Sequence, residues 1–338
     1  MRIIIYGAGA IGGYLGALLS AAGADVTLVG RGKHREVMAT QGLKLDDKAN
    51  PRPDRIKLNA VLPGEEKPPY DVVFVTLKAH QHEPNAERIA ALRAKDGCCV
   101  FLQNGLPWWY FDRIDSPYAG KALKTLDPEG KLARILPSEH ILGGVIFKPI
   151  DLYEPGALRF VESPSDRIVI GEVDNRPSAR AAAIAQVVTP AGWKTEVSTD
   201  IRTAIWTKLV GNAVWNPLCA LTQSAANDIA SFPPSRDLAI AMMQEAAAVA
   251  KAAGAKINVD AEKAVSDVST RKSPISSTLA DVRGGRQLEL AALSWSIIEM
   301  GEITGVPTPN LRNVAACAGM LDRYIVNSGS AIRPEAIR

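Results

Sequence analysis

Two hydrophobic patterns divide the chain. Before residue 198, apolar runs of four or five residues alternate with stretches of helical period; beyond it only the helical period remains. The runs at 2–6, 26–29, 71–75 and 98–102 are rich in valine, isoleucine and phenylalanine and read as buried strands. Residues 13–19 and 87–95 have helical spacing, and 43–45 and 56–58 alternate as short strands do. Three further runs, 143–147, 157–161 and 167–171, are punctuated by Pro155-Gly156 and Ser163-Pro164-Ser165, and suggest antiparallel strands appended to a parallel sheet. An alanine-rich helix over 178–188 and a strand over 193–197 close this half. In the second half, Asp200 caps a long helix running to about Thr222, which Pro217 should kink or end. Helices follow over 236–253 and 260–268, then two on either side of Gly284-Gly285, and one ending near Tyr324 with a loose tail to Arg338. The expected organisation is two domains, 1–197 with an open α/β sheet and 198–338 all helical.

The first strand runs directly into Gly7-Ala8-Gly9-Ala10-Ile11-Gly12, a G-x-G-x-x-G that opens a helix. Gly7 permits the tight turn, Gly9 lets backbone approach a pyrophosphate, and Gly12 lets the helix pack close on the strand. The N–H groups of that helix start, with Ala10 and Ile11 in the first turn, then face the phosphates. The second strand ends without the acidic residue that binds a ribose 2′-hydroxyl in NAD sites. It is followed by Gly30-Arg31-Gly32-Lys33-His34-Arg35, with three cations. Arg31 can pair bidentately with a 2′-phosphate, so the chemistry favours NADP(H).

Ligands of open α/β sheets collect at the carboxyl ends of the strands. Gly9, Arg31, Lys78 and Asn104 all follow such ends and point to one shared site. His80 and His82 stand two apart with no third ligand in view, so no metal is expected and both read as loop residues. The run Leu106-Pro107-Trp108-Trp109-Tyr110-Phe111 lines a substrate cleft, forms half of a homodimer contact, or packs under the next loop; the pattern leaves the three open. Residues 112–139 are polar and irregular and read as an insertion.

On the first helix of the second half, Lys208, Asn212 and Asn216 recur at i, i+4 and i+8 and share a face. Among Trp, Leu, Val and Ala neighbours, one ammonium and two amides are costly to bury without a partner, which favours a cleft-lining row. A partly desolvated lysine there has a lowered pKa and can donate a proton. Glu289 opens an apolar helix, where a carboxylate suits either the helix dipole or a site.

The chain has 338 residues, 47% of them hydrophobic, and a net charge of only +3, which gives no electrostatic case for nucleic acid. Its four cysteines form no C-x-x-C and read as reduced thiols of a cytoplasmic protein. The first strand begins at residue 2, which leaves no room for a signal peptide, and no run is long enough to span a membrane.

Taken together, the glycine turn, Thr76-Leu77-Lys78-Ala79, Gln103-Asn104-Gly105, Trp206-Thr207-Lys208-Leu209 with Asn212 and Asn216-Pro217-Leu218, and Ser276-Ser277 with Glu289 resemble the ketopantoate reductases (2-dehydropantoate 2-reductases) over nearly the whole length. The resemblance implies an N-terminal Rossmann-type doubly wound sheet plus an all-α C-terminal domain, with a cleft between them. It implies NADPH-dependent reduction of a small-molecule 2-keto acid. By position, Lys208 looks like the general acid and Glu289 like the group that binds the substrate hydroxyl and orients Lys208. Asn104, Asn212, Asn216 and Ser277 look like substrate-binding groups, and Asn104 also faces the cofactor. Arg31 looks like the 2′-phosphate contact, with Lys78 and Gln81 as further cofactor-side groups. The stretch around Glu289, the aromatic run and the 112–139 segment depart from the family pattern, on the substrate side. Two rivals follow: a reductase of a bulkier 2-keto acid, and a non-catalytic NADP-binding sensor with no use for Lys208 and Glu289.

Overall fold

The computed structural model of the chain describes residues 1–47, 51–271, 273 and 275–332. The chain divides into two compact units: 1–103 with 111–115 and 129–204, and 104–110 with 116–128 and 205–338. The segments 104–110 and 116–128 thus belong with the helical unit, although they lie far from it in sequence.

In the first unit the elements run β1 (Ile3–Tyr6), α1 (Ala10–Ala21), β2 (Val26–Val29), α2 (Gly32–Gln41), β3 (Leu43–Asp47), β4 (Pro51–Ile56), β5 (Ala60–Val61), β6 (Tyr70–Val75), α3 (His82–Leu92) and β7 (Arg93–Phe101). After the crossing segments come α4 (Lys131–Ile135), β8 (Ile141–Phe147), β9 (Ile150–Glu154), β10 (Ala157–Phe160), β11 (Arg167–Glu172), α5 (Ala179–Val188) and β12 (Thr195–Val197). Among the described residues one sheet of eight strands has the order β12-β11-β8-β7-β6-β1-β2-β5. β1 is an inner strand, parallel to β2 on one side and β6 on the other. The chain order reverses there, which makes the end of β1 the switch point of a doubly wound sheet. Ile3, Ile4 and Ile5 are buried, as both faces of such a strand are covered, which explains the unbroken apolar run.

The three runs expected as appended antiparallel strands part company. β8 lies parallel to β7, and only β11 runs antiparallel to β8. β10 leaves the main sheet: it pairs with β3 in parallel and with β9 antiparallel, in a second sheet of order β4-β3-β10-β9. The β3–β10 pairing joins residues more than a hundred positions apart, which no local pattern encodes.

The long helix α6 (Ile201–Thr222) contains Pro217 and starts as expected on Asp200, whose Oδ1 accepts from the Thr203 N–H at 3.1 Å. Then follow α7 (Ala226–Ser231), α8 (Pro233–Ala252), α9 (Ala261–Ser269), α10 (Ser277–Arg283), α11 (Ser296–Thr304) and α12 (Pro309–Ser328). α11 is preceded by a π-type turn, Ala291–Trp295. The chain past Tyr324 is not loose where it is described. α12 continues to Ser328, and the Ile332 N–H donates to the Val282 carbonyl at 3.1 Å. Residues 333–338 lie outside the described residues. Cys98, Cys99 and Cys219 are buried and Cys317 is exposed. No helix is long and apolar enough to cross a membrane among the described residues.

Candidate active site

In the first unit, the glycine turn follows β1 at the switch point. Gly7 has φ +117°, a left-handed conformation that glycine adopts without strain. At Gly12 a Cβ would stand 2.4 Å from the Gly7 carbonyl oxygen and 2.5 Å from Thr76 Oγ1, so only glycine lets α1 approach this closely. Thr76 Oγ1 itself donates to the Gly7 carbonyl at 2.6 Å and braces the turn from β6. Gly9 is the opposite case: it is exposed, and a Cβ there would meet nothing within 4 Å. The helix start at Ala10 and Ile11 has no side-chain cap and no acidic residue in its first turn. An open backbone at a helix N-terminus, clear of negative charge, fits a dinucleotide pyrophosphate.

The basic stretch after β2 is the start of a helix rather than a loop. Arg31 is the extended residue before α2, exposed, on a first turn without acidic residues. Arg35 pairs with Glu65 at 3.1 Å and Lys33 with Glu36 at 3.1 Å. His34 turns inward: its Nδ1 accepts the Gly156 N–H at 2.9 Å, while Nε2 is buried near the Ala8 backbone. Burial holds its pKa below the usual value, opposed by the Ala8 backbone. Lys78 precedes a short 3-10 turn, Ala79–Gln81, and its N–H donates to Gln81 Oε1 at 3.2 Å. Gln81 therefore shapes the turn that carries Lys78. His82 is not a loop residue: it begins α3, buried edge-on to Phe101, and burial lowers its pKa to about 4.

The second unit holds a separate constellation. Lys208, on α6, donates from Nζ to Asn104 Oδ1 at 2.9 Å. Its pKa is lowered to about 8, chiefly because the ammonium is removed from water, with the Glu289 charge opposing the shift. Glu289 is 7% exposed and stands just ahead of the π-type turn, where the helix end favours a carboxylate. The Asn104 segment is pinned to that same turn. The Leu106 N–H donates to the Ala292 carbonyl at 2.9 Å, and Ser296 Oγ donates to the same oxygen at 3.0 Å. Between them Gly105 has φ +85°, and a Cβ there would lie 2.2 Å from the Ala292 oxygen. The i, i+4, i+8 row continues with half-buried Asn212 and with Asn216, which is 5% exposed. Asn216 Nδ2 is buried with no hydrogen-bond partner among the described residues, a donor in want of an acceptor. Ser277 is exposed at the first position of α10 and makes no hydrogen bond among the described residues; its neighbour Ser276 caps the helix instead. The structure thus joins Lys208, Asn104 and Glu289, while Ser277 makes no hydrogen bond to them among the described residues.

The aromatic run is core. Trp108, Trp109, Tyr110 and Phe111 are all buried, and Trp206 Nε1 donates to Tyr110 Oη at 2.8 Å. Burial within the chain itself shows these rings packed and removes them as a dimer contact. In the following segment the Lys124 and Thr125 N–H groups donate to the Glu299 carboxylate at 2.7 and 2.8 Å.

The family profile described as "Ketopantoate reductase PanE/ApbA" matches residues 3–175, and its "C terminal" counterpart matches residues 200–322. A 2-dehydropantoate 2-reductase of Mesorhizobium japonicum is 37% identical over 322 residues, covering 94% of this chain and 96% of that protein. A crystal structure of a candidate ketopantoate reductase from Ralstonia solanacearum superposes with TM-score 0.88 at 33% identity, covering 96% and 98% of the two chains. That of a 2-dehydropantoate 2-reductase from Geobacter metallireducens gives 0.81 at 29% identity, covering 95% and 99%.

Proposed function

Since the chain belongs to the ketopantoate reductase family, nicotinamide-dependent oxidoreductases that act on 2-keto acids, we propose that it reduces 2-dehydropantoate to pantoate with NADPH, Lys208 being the general acid. The observation that carries this reading is the Lys208 ammonium, desolvated, on Asn104 at 2.9 Å and subject to the charge of Glu289. A lysine with a pKa of about 8 is a stronger acid than a lysine in water and still protonated at neutral pH.

Each residue then has a task. The exposed backbone at Gly9 and the start of α1 take the pyrophosphate, Gly7 and Gly12 keep that turn in shape, and Arg31 takes the 2′-phosphate. Lys78, on the turn shaped by Gln81, and Asn104 serve the cofactor side. When bound, the nicotinamide supplies the hydride. Lys208 supplies the proton to the carbonyl oxygen and stabilises the charge growing there. Asn104 fixes the ammonium, and Glu289 orients it and binds the substrate hydroxyl. The unmet Asn216 donor, with Asn212 and Ser277, binds the substrate's oxygen atoms.

The test follows NADPH absorbance with ketopantoate against other branched 2-keto acids. Lys208→Ala is expected to lower kcat/KM for ketopantoate by about 10² to 10⁴. A rate near wild type would refute the assigned role.

A further inference from the structure

We infer that His34 is a positioning residue for cofactor selection, fixing the start of α2, and with it Arg31, against the glycine turn. The inference rests on the assignment of Arg31 to the 2′-phosphate and adds a residue that touches neither cofactor nor substrate. His34 lies three residues after Arg31, in the first turn of α2, so what holds its ring holds the helix start that Arg31 immediately precedes. Its ring is held from the second sheet. Gly156, in the turn between β9 and β10, donates its N–H to Nδ1 at 2.9 Å. Gly156 is itself clamped: its carbonyl accepts from the Lys44 N–H at 2.9 Å and from Arg55 Nη1 at 2.9 Å. At Gly156 φ is +77°, and a Cβ would stand 2.2 Å from Val37 Cγ1, so α2 presses directly on this turn.

The other side of the ring faces the Ala8 backbone of the glycine turn and the start of α1. Nε2 lies 3.9 Å from where a Cβ on Gly13 would stand. At the junction of β2 and α2, a Cβ on Gly30 would lie 3.3 Å from that of Ala8. Because Nδ1 accepts an N–H, the neutral ring carries its proton on Nε2, and that donor is buried. The imidazole is therefore a strut between a rigid hairpin turn and the helix start that presents Arg31. The second sheet, which contributes no strand to the main one, acquires a purpose as its anchor.

Cofactor dissociation constants, measured by fluorescence titration of NADPH and of NADH with each protein, test the strut. Asparagine can offer Oδ1 where Nδ1 stood; glutamine reaches past that point. His34→Gln should weaken NADPH about tenfold, the worth of one buried hydrogen bond, and NADH by much less. His34→Asn should restore most of the NADPH preference. Thermal denaturation of each variant separates misfolding from misplacement. An unchanged NADPH-to-NADH ratio in His34→Gln, or equal loss of both cofactors, would overturn the inference. Arg31→Ala is the control for the underlying assignment: if it leaves the ratio unchanged, the 2′-phosphate reading fails first. If it collapses the ratio and His34→Gln does not, only the strut fails.

Discussion

Lys208 is the proposed proton donor because of where its ammonium sits. Removal from water lowers its pKa from 10.5 to about 8, and Glu289 keeps it from falling further. In the proposed role the donor is the charged amine, present below that pKa and lost above it. The kcat/KM for keto-acid reduction should therefore be level at neutral pH and fall as pH rises through about 8. Glu289→Gln removes the opposing charge, so the break should move to lower pH. A pH–rate profile of both proteins checks the direction; a break that stays in place would separate Glu289 from the titration. At this scale much was legible beforehand. The i, i+4, i+8 row singled out Lys208, and its company of apolar neighbours announced the lowered pKa. His34 was not legible, because its partner Gly156 lies 122 positions away and its neighbours on the chain are ordinary cations.

Between residues and the whole, the π-type turn Ala291–Trp295 joins two parts of the candidate site. It leaves the Ala292 carbonyl to the Leu106 N–H and Ser296 Oγ, and so holds the segment that bears Asn104 to the one that bears Glu289. Gly105→Ala strikes both requirements at once, a φ of +85° and a 2.2 Å approach to the Ala292 oxygen. The expected loss is about 1–3 kcal/mol of stability, with a drop in kcat as Asn104 moves from Lys208. Denaturant unfolding and turnover, measured together, check both; unchanged turnover would detach this turn from catalysis. The helices were readable from period and punctuation: Asp200 caps α6 and Gly284-Gly285 ends α10 as read. The π-type turn and the short α7 were not, since five or six residues offer too little period to register.

Across the whole molecule, the doubly wound sheet and the helical half were evident because buried parallel strands write themselves as unbroken apolar runs. The four-stranded second sheet was hidden because β3 finds its partner β10 only through tertiary packing. The allegiance of 104–110 and 116–128 to the helical unit was hidden for the same reason. The placing of the four thiols turns this division into something that can be weighed. Cys98 and Cys99 sit in β7 of the first unit, Cys219 in α6 of the second, all shielded, and burial raises their pKa values to about 11, 12 and 11. Cys317 alone is reachable. Native protein treated with a maleimide should gain one adduct at once and then hold that mass. As denaturant is added, a step of two adducts reports the sheet opening and a step of one reports the helices, so a mass spectrum gives the order in which the halves come apart.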